Sequence, residues 1–186
     1  MSGNPIHHII LDRDGVINVD SDQFIKTPEE WLPIEGSLEA IARLKQAGFV
    51  VGIASNQSGI GRGLFDLATL NAMHEKMQQL LAKLGAHIDM IAFCPHTPED
   101  HCDCRKPLPG LYRQLAKRWE IELEGIPVVG DSLRDLEAAM TVNARPLLVR
   151  TGKGATTVEQ LPDQWSIPVF DDLAQAVNHL LREQSC

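Results

Sequence analysis

The chain has 186 residues, enough for one domain with a substantial core, and its 44% hydrophobic content excludes a disordered polymer. The formal charge of −8 comes with no basic arm or stripe, which excludes nonspecific nucleic-acid binding. No apolar run approaches the roughly 18 residues of a membrane span, and Met1-Ser2-Gly3-Asn4-Pro5 lacks the pattern of a secretory signal. A cytoplasmic protein is therefore expected, with cysteines that are not disulfides.

The first element is a short apolar run, His8 to Leu11, which reads as a buried strand of a parallel sheet. It ends in Asp12-Arg13-Asp14-Gly15. Strand alternation points Asp12 and Asp14 the same way. Their repulsion then calls for a shared proton or a hard cation such as Mg²⁺. The ordinary alternative is a capped turn, since Asp-Gly is a common turn dipeptide. A helix-loop-helix calcium site is excluded, because Gly15 falls at the fourth position from Asp12 rather than the sixth.

Residues 15–35 form a long polar connection, a length that inside a compact domain points to function. Ser37 is the expected N-cap of a helix from Leu38 to Ala47, which Gly48 stops. Phe49 to Ala54 is a second buried strand, delivering Ser55-Asn56-Gln57-Ser58 and the glycine-rich Gly59-Ile60-Gly61-Arg62-Gly63. Asp66 caps a helix to about Leu84, with an apolar stripe of Leu67, Leu70, Met73, Met77, Leu80, Leu81 and Leu84. Met73 and Met77 read as core filler, and His74, on the flank of the stripe, as a surface histidine.

Ile88 to Phe93 is the third strand. Helix Gly110 to Trp119, strand Pro127 to Gly130, helix Leu133 to Met140 and strand Pro146 to Val149 follow. A short strand, Pro168 to Phe170, and a helix, Asp171 to Arg182, close the chain. Alternating strands and helices imply right-handed parallel crossovers and an α/β, doubly wound sheet with helices on both faces. No repeat, linker or second domain is visible, so residues 1–186 are expected to form a single domain.

Three strand ends carry polar groups: Asp12/Asp14, Ser55/Asn56 and Asp131. Such ends can converge at one edge of the sheet. Asp131 is a candidate metal ligand. Asp135, four residues on, is either a ligand, a support for one, or an ordinary acid at a helix N-terminus.

Cys94, His96, Cys102 and Cys104 lie within eleven residues and suit a tetrahedral, structural Zn²⁺ site. Unrelated thiols are the alternative, and His101 is a rival nitrogen ligand. Cys186 is too isolated to assign. Arg105 and Lys106 follow directly and could neutralise a phosphate, as could Arg62 with a nest of amides near Gly59, Gly61 and Gly63. A solvated Arg-Lys pair is the commoner fate. No nucleotide P-loop occurs, and Gly152-Lys153-Gly154 reads as a surface turn.

Leu11-Asp12-Arg13-Asp14-Gly15, Ser55-Asn56-Gln57, Lys106 and Gly130-Asp131-(x₃)-Asp135 resemble the four motifs of the haloacid dehalogenase-like phosphatases over nearly the whole chain. Asn56-Gln57-Ser58-Gly59-(x₂)-Arg62-Gly63, the zinc loop and Cys104-Arg105-Lys106-Pro107 are similar to its heptose bisphosphate branch. The five residues between His96 and Cys102 are more like the histidinol phosphate branch.

The resemblance implies a Rossmann-like sheet with no inserted cap domain, so that loops 15–35 and 94–107 shape the pocket. It implies Asp12 as nucleophile, Asp14 as proton donor and acceptor, and Ser55, Arg105 and Lys106 as stabilisers of the transferring phosphoryl group. Mg²⁺ would be held by Asp12, Asp131 and the main-chain carbonyl of Asp14, and Zn²⁺ would serve rigidity. Substrate contacts are implied for Asp12, Arg13, Asp14, Asp20, Ser21, Asp22, Gln23, Ser55, Asn56, Gln57, Ser58, Arg62, Arg105 and Lys106. The implied partner is a small sugar bisphosphate taken by a monomer. A zinc-stabilised phosphate-binding module without turnover is the reading from another class.

Overall fold

The structure is a computed structural model describing residues 7–184; Cys186 lies outside them. Ile9, Ile10 and Leu11 have no solvent exposure and mark β1 (His7–Leu11) as the centre of the sheet. Alternation sends Ile9 and Leu11 to one face and Ile10 to the other, into separate hydrophobic clusters. The chain continues through α1 (Ser37–Gln46), β2 (Phe49–Asn56), α2 (Ser58–Gly61), α3 (Leu67–Ala82), β3 (Met90–Cys94) and a 3₁₀ turn at Pro98–Asp100. Then come α4 (Gly110–Trp119), β4 (Pro127–Gly130), α5 (Leu133–Thr141), β5 (Arg145–Val149), α6 (Gly154–Gln160), β6 (Val169–Phe170) and α7 (Leu173–Gln184).

The six strands pair in parallel in the order β3-β2-β1-β4-β5-β6. The winding therefore reverses between β1 and β4, and ligands of such sheets bind outside the strand ends at that reversal. One face carries Ile41 and Leu44 of α1, Met73, Met77 and Leu81 of α3, and Ala176, Val177 and Leu180 of α7. The other carries Leu111, Tyr112 and Leu115 of α4 with Ala138 and Ala139 of α5. The expected doubly wound α/β sheet is thus observed, with Met73 and Met77 as core filler. Residues 15–35 hold only isolated bridges and turns, and no cap is inserted there.

Several local expectations are corrected. The N-cap of α1 is Gly36, in the left-handed region at φ +78°, and Ser37 is the first helical residue. Its hydroxyl instead donates to Ile17 O at 2.6 Å, tying the helix to the loop beneath it. β3 begins at Met90, because both main-chain groups of Ile88 are bonded by the Gln78 amide at 2.9 Å and so leave the ladder. Asp66 caps α3 as expected, accepting from Thr69 N at 2.8 Å, but the ends of its stripe, Leu67 and Leu84, are exposed. His74 is buried. The amides of Gly61 and Gly63 are already bonded to Pro95 O and Ile60 O, both at 2.9 Å, so they form no anion nest. Gly152 and Lys153 do form an exposed turn, yet it leads into α6, an element that sequence patterning missed.

Candidate active site

Strand ends bring the acids together. Asp12 follows β1, Asp131 follows β4, and Asp135 sits in the first turn of α5. One oxygen from each lies within 4.8 Å of the others. Lys106 Nζ stands among them, 3.0 Å from Asp12 Oδ1 and 2.6 Å from Asp135 Oδ1, and it donates to Ala54 O at 2.7 Å. Burial alone would push the Lys106 ammonium down; Asp12 and Asp135 outweigh it and push it up. Burial and then the neighbouring acids push both the Asp12 and the Asp131 carboxyls well above the ordinary range. One lysine does not balance three acids, so the cluster has the donor set and charge deficit that fit a hard divalent cation.

Asp135 is committed elsewhere. Its Oδ2 accepts from Asp131 N at 3.2 Å, Ser132 N at 3.0 Å and Ser132 Oγ at 2.8 Å, closing the start of α5. It supports Asp131 and anchors Lys106.

The expectation that Asp12 and Asp14 share one compensating ion is corrected. β1 ends at Leu11, so strand geometry does not extend to Asp14. Arg13, fully buried, neutralises Asp14 instead. Its Nη2 donates to Asp14 Oδ1 at 2.9 Å and Oδ2 at 3.1 Å, and its Nε to Oδ1 at 3.2 Å. Asn18 Nδ2 and Gln57 Nε2 add bonds of 2.9 and 2.7 Å. Burial would raise the Asp14 carboxyl; Arg13 and these donors win and hold it below the usual carboxylate range. Behind Arg13, His74 Nε2 lies 3.4 Å from Nη1. Burial first, then Arg13, lowers the imidazole to about 4, so it is neutral at pH 7.

Asp12, Asp14, Lys106, Asp131 and Asp135 line a cleft of about 240 Å³. Of the residues expected to touch substrate, Asp12, Asp14, Asp20, Ser21, Asp22, Asn56, Gln57, Ser58, Arg62, Arg105 and Lys106 face it. Arg13, Gln23 and Ser55 do not: Arg13 and Ser55 are buried, Ser55 Oγ accepting from Gln57 Nε2 at 2.7 Å, while Gln23 points to solvent. Sequence reasoning missed Phe24, Ile25, Ser132, Arg134 and Lys153 on the cleft wall. Arg134 lies three residues past Asp131, on the first turn of α5, a spacing that could have flagged it. Phe24 lies under the Arg62 guanidinium, 5.9 Å from ring centre to Cζ. Burial and the charges of Arg134 and Arg62 lower the Arg105 guanidinium, so three like charges gather along one rim.

At the end of β3 the zinc candidates come together. Cys94 Sγ lies 3.6 Å from Cys102 Sγ and 3.5 Å from His96 Nδ1; Cys104 Sγ lies 3.6 Å from Cys102 Sγ and 3.3 Å from His96 Nδ1. Zn–S bonds of about 2.3 Å and Zn–N bonds of about 2.0 Å in a tetrahedron require edges of roughly 3.4–3.8 Å. The geometry therefore fits zinc, with His96 and not the exposed His101 as the nitrogen donor. Arg105 Nη1 donates to His96 O at 3.3 Å, which joins this cluster to the cleft rim.

Two family models match the chain: polynucleotide kinase 3 phosphatase over residues 9–137 and the HAD-hydrolase-like model over 103–176. The D-glycero-beta-D-manno-heptose-1,7-bisphosphate 7-phosphatase of Bordetella bronchiseptica is 55% identical over 177 residues, 94% of this chain and 98% of the relative. The chain belongs to the heptose 1,7-bisphosphate 7-phosphatase family of haloacid dehalogenase-like phosphatases. The Escherichia coli K12 member is 37% identical to this phosphatase, with 91% and 92% of the two chains covered. A crystal structure of the B. bronchiseptica D,D-heptose 1,7-bisphosphate phosphatase, complexed with magnesium and phosphate, superposes with a TM-score of 0.93 at 54% identity, covering 96% and 99% of the chains. This phosphatase is thus an enzyme of the phosphoric monoester hydrolase class, and the reading as a module without turnover is set aside.

Proposed function

We propose that the chain removes the 7-phosphate of D-glycero-D-manno-heptose 1,7-bisphosphate and leaves the 1-phosphate. The relatives' activity supports the substrate. The observation that carries the chemistry is the Asp12–Asp131–Asp135 cluster around Lys106 on the cleft floor.

Asp12 Oδ attacks phosphorus as the bond from phosphorus to the sugar oxygen breaks, giving an aspartyl-phosphate. The departing oxygen takes its proton from Asp14, which must take up that proton before the transfer because Arg13, Asn18 and Gln57 hold it ionised in the resting site. Asp14 then accepts a proton from water, which attacks phosphorus and frees Asp12 and inorganic phosphate. Lys106 supports the phosphoryl oxygens by direct charge, and Ser55 steadies the Gln57 amide that donates to Asp14. Asp12, Asp131 and the Asp14 carbonyl would hold Mg²⁺, which when bound supplies charge that offsets the acids and the transferring phosphoryl group. Cys94, His96, Cys102 and Cys104 would hold a structural Zn²⁺, fixing Arg105. The rim of Arg62, Arg105 and Arg134 suits a second anionic group, as a bisphosphate offers. The proposal includes a cytoplasmic, monomeric, single-domain enzyme supplying precursors for surface polysaccharide. Among the described residues no helix is long and apolar enough to cross a membrane.

The test is phosphate release from heptose 1,7-bisphosphate and from histidinol phosphate, with and without Mg²⁺. Preference for the heptose and loss of turnover in Asp12→Asn are expected. A higher kcat/KM on histidinol phosphate would overturn the substrate, and normal turnover by folded Asp12→Asn would overturn the mechanism.

A further inference from the structure

His74, the one buried histidine among the described residues, has no part in the proposed reaction. His74 enters from α3, on the far side of Arg13 from the cleft. It lines a separate outer groove with Asn71, Glu75, Gln78 and Phe93, and does not face the substrate cleft. A buried imidazole beside a buried guanidinium is a costly arrangement unless the ring is neutral and accepts from the cation. Here it can do so, because Nε2 is 3.4 Å from Arg13 Nη1. The other neighbour of Nη1 is the weak acceptor Met73 Sδ, at 3.9 Å. The remaining nitrogens of the guanidinium are all directed the other way, onto Asp14 and onto Gln57 Oε1 at 3.2 Å.

A guanidinium is planar, so an acceptor at Nη1 sets the direction of Nε and Nη2. Arg13 has no exposure and little freedom to find another partner. We infer that His74 is a positioning residue, holding the plane of Arg13 so that the Arg13 fork fixes the Asp14 carboxylate at the cleft. His74 touches neither substrate nor reacting atoms. It acts through Arg13, across a sequence separation of 61 residues. The inference rests on the proposed role of Asp14 and extends it to the groups that aim it.

The consequence is specific to the proton that Asp14 delivers. When the phosphoryl group moves to Asp12, an alkoxide leaving from a sugar needs that proton, whereas p-nitrophenolate leaves without one. kcat/KM covers binding and this transfer but not the later hydrolysis of the aspartyl-phosphate. A general fault of folding would lower both substrates alike.

The experiment measures kcat/KM of the full chain on heptose 1,7-bisphosphate and on p-nitrophenyl phosphate for wild type, His74→Leu and His74→Gln. His74→Leu is expected to lose about 10–100-fold on the sugar phosphate, part of the roughly 10²–10⁴ that a placed acid contributes. Its loss on the aryl phosphate is expected to be smaller by about tenfold or more, as its leaving group needs little acid catalysis. His74→Gln restores an acceptor near Nε2 and is expected to recover most of the sugar-phosphate activity. Should His74→Leu fail to fold, Arg13→Lys, which keeps the charge but not the fork, is expected to give the same split. Equal losses on the two esters, or wild-type kinetics in folded His74→Leu, would overturn the inference while leaving the proposed function standing. Absence of phosphate release by the wild-type chain would remove both.

Discussion

Lys106 Nζ lies 2.6 Å from Asp135 Oδ1, with both side chains almost shut off from water. The pair is an electrostatic keystone between α5 and the loop after the zinc cluster. Asp135 also closes the turn that carries Asp131. Without Asp135, Lys106 keeps Asp12 at 3.0 Å, but the Asp131 and Ser132 amides lose their acceptor. Asp135→Ala is therefore expected to lose about 1–3 kcal/mol of unfolding free energy, read by urea titration. Turnover is expected to fall about 10²-fold as Lys106 loses its aim. A stability change under about 1 kcal/mol would show that water replaces the carboxylate, contrary to this account.

Gly15 sets the reach of the cation site. It adopts φ +83°, and a Cβ there would lie 2.0 Å from Asp131 Oδ2. Gly15→Ala therefore meets both left-handed strain of about 1–3 kcal/mol and a direct collision. The cheaper escape is a shift of Asp131. The expected result is a rise in the Mg²⁺ concentration for half-maximal activity, larger than the drop in thermal stability would suggest. An unchanged Mg²⁺ dependence would argue against Asp131 as a ligand.

The legible parts of this molecule are those in which chemistry sits at the end of a strongly patterned element. Asp12 and Asp131 follow apolar strands, so their convergence could be read from the order of elements. The thiol spacing marked the zinc candidates because four ligands in one loop have few other uses. His74 was not legible. Helical periodicity puts it on the flank of α3, and only a partner far away in sequence explains its burial. Arg13, set between two aspartates, reads as a substrate contact, yet the pull of Asp14 and Gln57 draws it into the core. α6 escaped notice because Gly154-Ala155-Thr156-Thr157 offers no apolar stripe. Its place depends instead on Thr157 Oγ1 donating to Asp131 O at 2.8 Å and Lys153 N donating to Asp131 Oδ2, also at 2.8 Å.

Acid stability has an identifiable contributor far from the cleft. Burial would raise the Asp89 carboxyl, but Lys45 at 2.5 Å, the Val51 amide at 2.7 Å and His87 at 2.9 Å together hold it low. A depressed carboxyl lends stability above its unfolded pKa, near 3.9, and that stability is lost as pH falls through the folded value. After solvent screening the contribution is about 1 kcal/mol. Asp89→Asn should be less stable than wild type by that amount at pH 7, and the gap should close as pH falls below about 4. Urea titrations across this range measure it. A gap that stays constant with pH would assign the effect to packing rather than charge.

The last expectation concerns metal at the loop that follows β3. A closed Cys₃His set leaves no open position, so zinc there would act on structure alone. Its effect on catalysis would pass through Arg105, whose Nη1 is held by His96 O. Protein purified without added metal is expected to carry about one zinc per chain by elemental analysis. Cys104→Ser is expected to lower zinc content and raise KM for the bisphosphate by about tenfold, about 1.4 kcal/mol of a charged contact. The effect on p-nitrophenyl phosphate, which has no second phosphate, should be smaller. Full zinc-free activity with unaltered KM would mean that the loop holds Arg105 by its own hydrogen bonds.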